Sequence, residues 1–136
     1  MQLQFHIQGG DFSAAGKASS EVKKTLKELD ISPVIIRRTA VALYEAEVNV
    51  VAHAYKGTMT ADITPKQINV RIEDEGPGIA DISKAMEEGF STATDAVRQM
   101  GFGAGMGLPN IKKNTDEMKL TSTPGVGTTL EITVNF

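Results

Sequence analysis

Polar and apolar residues alternate from the first positions, with Leu3, Phe5 and Ile7 on one face of an extended chain and Gln2, Gln4, His6 and Gln8 on the other. That period of two predicts a half-buried strand over residues 2–8, ended by Gly9-Gly10. Between residues 13 and 29 the period changes. Val22, Leu26 and Leu29 recur at helical spacing among Lys23, Lys24, Lys27 and Glu28, which predicts an amphipathic helix. Asp30-Ile31-Ser32-Pro33 breaks it and opens another, with Ser32 as N-cap and Pro33 at the first helical position. Over residues 34–55 apolar side chains surround much of the helical circumference, as expected for a central helix packed on a sheet, and Gly57 is expected to stop it.

Alternation returns at residues 58–63 and 67–73, where Ile68, Val70 and Ile72 oppose Asn69, Arg71 and Glu73. Thr64-Pro65-Lys66 joins the two runs, so they predict a hairpin. A short helix is expected near 80–88 and a further one from about Leu108. Residues 118–136 read as two strands around Thr123-Pro124-Gly125-Val126-Gly127, the second with Leu130, Ile132 and Val134 on one face. The order β-α-α-β-β-α-α-β-β predicts an α+β fold, a two-layer α/β sandwich whose mixed, mostly antiparallel sheet is covered by helices on one face.

Composition narrows the classes open to such a fold. With 136 residues, 40% hydrophobic and 23% charged, the chain has ordinary globular usage and suits one domain, so disorder and a fibrous repeat are excluded. No apolar run approaches the 18 residues of a membrane helix, and the strand-like N-terminus has no basic segment before an apolar one, which predicts a cytoplasmic protein without membrane partners. The absence of cysteine excludes disulfides and thiolate chemistry, and two histidines leave little for a histidine metal site. A net charge of −3 without a basic block argues against nucleic acid. Nine of the 13 glycines lie within residues 76–127, and that clustering needs a cause.

The segment from Gly10 to Ala18 imitates a phosphate-binding P-loop and fails, with one residue too many between its glycines and Ala18 where a hydroxyl should hold Mg²⁺. On the central helix Glu45, Asn49 and His53 are four residues apart and project from one face, whereas Glu47 points elsewhere and reads as surface. An amide oxygen can serve Mg²⁺ and a carboxylate one turn away can accept a proton, although such a triplet alone more often marks a solvated stripe. Asp74-Glu75-Gly76-Pro77-Gly78 follows a strand; it is either a plain turn or a carboxylate set to accept from a base amine, with glycines that let backbone approach the ring. Gly101-Phe102-Gly103-Ala104-Gly105-Met106-Gly107-Leu108 opens a helix and is either an empty flexible loop or a phosphate cradle of backbone N–H groups.

Taken together and in order, Glu45-x-x-x-Asn49, Asp74-x-Gly76-x-Gly78 and Gly103-x-Gly105-x-Gly107-Leu108 resemble the N box and the two glycine boxes of the GHKL ATPases. Gly127-Thr128-Thr129 resembles that superfamily's late Gly-Thr element. The resemblance covers nearly the whole chain and implies a Bergerat ATP-binding fold spanning residues 1–136 as a single domain. Met86-Glu87-Glu88-Gly89-Phe90-Ser91-Thr92 and Gly105-Met106-Gly107-Leu108-Pro109 look most like the anti-sigma and switch serine/threonine kinases of the RsbT, RsbW and SpoIIAB type. That implies ATP and Mg²⁺ as cofactors, Asn49 on the metal, and Glu45 as general base on a substrate hydroxyl. It further implies Asp74 on the adenine amine with Gly76 and Gly78 around the base, and Gly103, Gly105 and Gly107 along the phosphates. Ser91, Thr92, Arg98, Met106, Leu108 and Thr129 are the remaining expected nucleotide contacts, and His53 is expected to pack near the site without catalysing. The implied partner is a STAS-type antagonist, with a sigma factor or phosphatase as other partners. A nucleotide-dependent binding module with little transfer activity is the alternative, and a homodimer stays open.

Overall fold

The structure, a computed structural model, describes residues 1–79, 81–87 and 107–136. Five strands, β1 (Gln2–Gln8), β2 (Lys56–Ile63), β3 (Gln67–Glu75), β4 (Glu117–Thr123) and β5 (Gly127–Asn135), form one sheet in the order β1-β2-β3-β5-β4. Among the described residues all four pairings are antiparallel, where a mixed sheet was expected. Helices α1 (Lys17–Glu28), α2 (Pro33–His53), the short α3 (Ile82–Ala85) and α4 (Gly107–Lys113) complete the described elements, with one 3-10 turn at Phe12–Ala14.

Alternation decides which sheet face is covered. Met59, Ala61 and Ile63 on β2, Ile68, Val70 and Ile72 on β3, and Leu130, Ile132 and Val134 on β5 are buried in a single core with residues of α1 and α2. Their odd-even partners Thr60, Asn69, Arg71 and Glu131 lie on the other face. Helix α2 contributes Ile36, Thr39, Ala42, Leu43, Ala46, Val48, Val50 and Val51 to the interior, and part of its apolar circumference, Val34, Val41 and Tyr44, stays exposed. It packs against α1 on one side and α4 on the other, and α1 answers with Val22 and Leu26, both fully buried.

The expected caps hold in position, though not in detail. Ser32 is the N-cap of α2 and Pro33 sits in its first turn, but the serine side chain makes no capping bond. The helix ends at His53, and Gly57 lies inside β2 instead of stopping it. A Cβ on Gly57 would stand 3.0 Å from Val50 Cγ1 and 3.4 Å from Asp74 Cβ, so the glycine is there to let α2 settle on the sheet beside β3. The helix expected over 13–29 is split by Gly16, whose φ of 96° only glycine adopts readily.

Glu47 corrects the sequence reading most plainly. Expected on the surface, it is 2% exposed. Its carboxylate accepts the backbone N–H groups of Gly16 (2.9 Å), Ala18 (3.2 Å) and Ser19 (2.9 Å), which are the donors that the start of α1 leaves without helical partners. A buried anion at a helix N-terminus is favoured by both hydrogen bonding and the helix dipole, so Glu47 joins α1 to α2.

Candidate functional site

Helix α2 buries one side against the sheet, α1 and α4 and exposes Val34, Arg37, Val41 and Tyr44, while Glu45, Asn49 and His53 form a half-buried stripe. Gly107, the first residue of α4, lies directly against it. A Cβ on Gly107 would fall 3.1 Å from Asn49 Oδ1, 3.3 Å from Asn49 Nδ2 and 3.4 Å from Glu45 Oε2, so any side chain there would crowd the amide. Neither Glu45 nor Asn49 spends its polar atoms on a hydrogen bond among the described residues. A carboxylate and an amide with free valence thus converge on a glycine backbone. His53, one turn further along, has its pKa held below the usual imidazole value by burial, which favours the neutral ring.

The second cluster lies at the end of β3. Asp74 has the same strand parity as Val70 and Ile72 and therefore faces the helices. Its Oδ1 accepts the Thr128 N–H at 3.0 Å, and Oδ2 takes no hydrogen bond among the described residues. Burial pushes the Asp74 carboxyl above the usual carboxylate value, and the Thr128 N–H opposes part of that rise. Val50 and Asp74 both border Gly57, which places the carboxylate at the sheet position where the Asn49 turn of α2 docks.

Beyond Asp74 the chain runs between the end of α2 and the β4–β5 turn. A Cβ on Gly76 would stand 2.9 Å from Ala54 Cα, and the Gly76 N–H donates to Val126 O at 3.1 Å. Gly78 has a φ of 73° and its Cβ position is 2.6 Å from Thr123 O, so both conformation and space demand glycine. The Gly125 N–H donates to Pro77 O at 2.8 Å. Ser122 then ties the segment down: its Oγ accepts the Ile79 N–H at 2.7 Å, donates to Gly127 O at 3.1 Å and lies 2.9 Å from Thr128 Oγ1.

The structure therefore brings together Glu45, Asn49 and Gly107 in one group and Asp74, Gly76 and Gly78 in an adjoining one. Leu108 packs partly buried against the core. Thr129 is not brought to Asp74: it pairs across the sheet with Glu73 and Thr121 and shares their parity, on the face away from the helices. The threonine beside Asp74 is Thr128, whose N–H the carboxylate accepts. The contacts of Thr128 and Ser122 with this segment were not anticipated, although the parity of Thr128 with Leu130, Ile132 and Val134 was a signal for the first. Ser91, Thr92, Arg98, Gly103, Gly105 and Met106 lie outside the described residues.

These groups suit a nucleotide with a divalent cation. The unspent Asp74 Oδ2 is an acceptor for an amine, and the Gly107 backbone borders the space that Asn49 and Glu45 share. No three His, Cys, Asp or Glu side chains gather into a metal cage among the described residues, and an amide oxygen such as that of Asn49 is a ligand that Mg²⁺ can take alongside phosphate and water. No described helix is long and apolar enough to cross a membrane.

Comparison with known proteins places the chain in a family. The chain is 37% identical over 113 residues to the serine/threonine-protein kinase RsbT of Bacillus subtilis (strain 168), covering 80% of this chain and 79% of that one. It is 37% identical over 97 residues to an anti-sigma F factor of Caldanaerobacter subterraneus subsp. tengcongensis, covering 68% of this chain and 64% of that relative's length. The crystal structure of the RsbU and RsbW domains of a Mycobacterium tuberculosis protein shares the fold, with a TM-score of 0.64 at 16% identity over 97% of this chain and 32% of that one. Residues 11–134 match the histidine kinase-like ATPase domain, and the chain belongs to that family.

Proposed function

We propose that this chain is an ATP- and Mg²⁺-dependent protein serine/threonine kinase that phosphorylates a STAS-type antagonist in a partner-switching pathway, folding as one domain over residues 1–136. The observation that carries the reading is the convergence of Glu45 Oε2 and the Asn49 amide on Gly107. When bound, ATP supplies the transferable phosphoryl group and Mg²⁺ neutralises charge on its phosphates. Asn49 offers its amide oxygen to the metal. Glu45 would take the proton of the partner's serine or threonine hydroxyl as that oxygen bonds to the γ-phosphorus and the bond to the β-phosphate breaks, releasing ADP, a role open to a carboxylate with no hydrogen bond among the described residues.

Asp74 fixes the base by accepting from its amino group, with Thr128 and Ser122 holding that carboxylate and the loop after it. Gly76 and Gly78 let the backbone lie close to the ring, while the backbone N–H groups of Gly103, Gly105 and Gly107 line the phosphates. Ser91, Thr92, Met106 and Leu108 are further nucleotide contacts, and Arg98 brings positive charge to the γ-phosphate. Little else is needed, because phosphoryl transfer asks mainly for positioning and charge neutralisation.

A second reading, favoured by the relatives named anti-sigma F factors, is a binding module that uses the nucleotide to hold a sigma factor or a phosphatase. Transfer of radiolabel from ATP to a cognate STAS protein separates the two. For the kinase, Glu45→Gln keeps ATP affinity and slows transfer by about 100-fold or more, as expected for loss of a general base. If Glu45→Gln transfers label as fast as the wild type, Glu45 is not the base; if the wild type transfers none, the binding module stands.

A further inference from the structure

Large apolar side chains are spread unevenly over the surface. Seven are exposed among the described residues, and three of them, Val34 (56%), Val41 (36%) and Tyr44 (42%), belong to α2. At helical spacing they form one exposed face, with Arg37 between them, that ends beside Glu45. Single exposed apolar residues are ordinary, whereas a contiguous group marks a surface that another molecule covers.

The site runs in one direction along α2. Gly76 lies against Ala54 just past the helix end, Asp74 borders Gly57 with Val50, and Gly107 lies between Asn49 and Glu45. A nucleotide held by these residues extends from the C-terminal end of α2 to its middle, with the reacting phosphate at Glu45. The acceptor oxygen enters roughly in line with the leaving one, from the opposite side of the phosphorus. Its protein therefore lies over the half of α2 that precedes Glu45. Val41 is one turn away on that side, about 6 Å along the axis, and Arg37 and Val34 follow.

The border of this face is basic. Lys17 and Glu21 of α1 turn to β1, where they line a groove with Phe5 and Ile7, so Lys23 and Lys27 occupy the other flank of α1, towards α2. Neither lysine nor Arg37 forms an ion pair among the described residues. Helix α2 holds no acid but Glu45 and the buried Glu47. Tyr44 is a fixed anchor, because its Cε2 lies 3.2 Å from the Cβ position of Gly16 and the ring rests where a side chain at 16 would stand. Tyrosine and arginine are the residue types that most often dominate binding energy at interfaces.

We propose that the face of α2 made by Val34, Arg37, Val41 and Tyr44, with Lys23 and Lys27 beside it, docks the protein that receives the phosphoryl group, and that the matching surface of that protein is apolar with an acidic rim. The proposal rests on the kinase reading above for the position of the acceptor. A second copy of this chain does not suit the face, since it would oppose the same three cations to one another.

Titration of a cognate STAS protein into the chain, with Mg²⁺ and a non-hydrolysable ATP analogue, reads docking separately from transfer. A thermal melt and an ATP titration check folding and nucleotide binding in each variant. Lys23→Glu with Arg37→Glu is expected to weaken docking by about tenfold or more, and Tyr44→Ala by a similar factor. Lys17→Glu, on the other flank of α1, is expected to dock as the wild type does. In the transfer assay the first two should raise KM for the STAS protein and leave kcat near the wild-type value. Docking that stays as tight in the Lys23/Arg37 and Tyr44 variants, or that Lys17→Glu weakens equally, overturns the proposal even where label transfer is normal. So does a wild type that binds no STAS protein, including one that binds anionic phosphatidylglycerol vesicles instead. Docking that weakens as expected in a chain that transfers no label upholds the surface, and only the kinase reading then fails.

Discussion

Glu45 and Glu47 stand two residues apart on α2, and the helix turns them to different surroundings. Glu45 is half-buried at the site with no hydrogen bond among the described residues, while Glu47 is enclosed and accepts three backbone N–H groups of α1. Replacing Glu47 by alanine leaves those donors unsatisfied in the interior, and chemical denaturation should show a loss of about 3 kcal/mol. The sequence could not reveal this role: helical phase separates Glu47 from the Glu45 stripe but does not show that another helix begins against it. Asp74 is the other residue whose surroundings set its chemistry. Its pKa is raised, so the protonated form is favoured by folding in acid, and that contribution to stability is lost as pH rises through the raised value. Nucleotide affinity runs the opposite way, since the ionised carboxylate is the better acceptor for an amine. ATP binding measured as pH falls through the raised Asp74 value should weaken, and Asp74→Asn should bind ATP weakly and abolish that dependence.

At the scale of elements, the strands were legible because alternation is a local signal, and each of the five is found within a few residues of its expected bounds. Loop and turn contacts were not, because they join residues far apart in sequence. Gly57 is the instructive case: read as a helix stop, it is a strand residue that makes room for Val50 and Asp74. Thr128 and Thr129 differ only by parity, and the parity of β5 selects Thr128. The loop at Gly78 depends on a positive φ and on contact with Thr123 O, so Gly78→Ala should be strained twice over. We expect it to lower the melting temperature and to weaken ATP binding by about tenfold or more, measured by calorimetry. Ser122→Ala, which removes the acceptor for the Ile79 N–H, should produce a milder loss of the same kind.

For the whole molecule, Asp116 connects the layers. It accepts the Asn135 N–H at 2.7 Å and pairs with Arg38 of α2 at 3.3 Å. The Asn135 N–H first, with the Arg38 guanidinium adding to it, holds its carboxyl below the usual range. A lowered carboxyl stabilises the fold above its unfolded value and loses that contribution as pH falls through the folded one. Acid titration of the denaturation midpoint should therefore be flatter for Asp116→Asn than for the wild type. The nine glycines between residues 76 and 127 now have partly separate causes: Gly76, Gly78, Gly125 and Gly127 fit the loop against the β4–β5 turn, and Gly107 opens the space between Asn49 and Glu45. That two groups of residues from distant parts of the chain form one nucleotide site is the central claim, and a calorimetric titration of ATP with and without Mg²⁺ tests it most directly. The wild type should bind one ATP per chain, more tightly with Mg²⁺, and Asn49→Ala should lose about tenfold or more of the Mg²⁺-dependent affinity. A wild type that binds no ATP, or an Asn49→Ala variant that binds Mg·ATP as the wild type does, would contradict it.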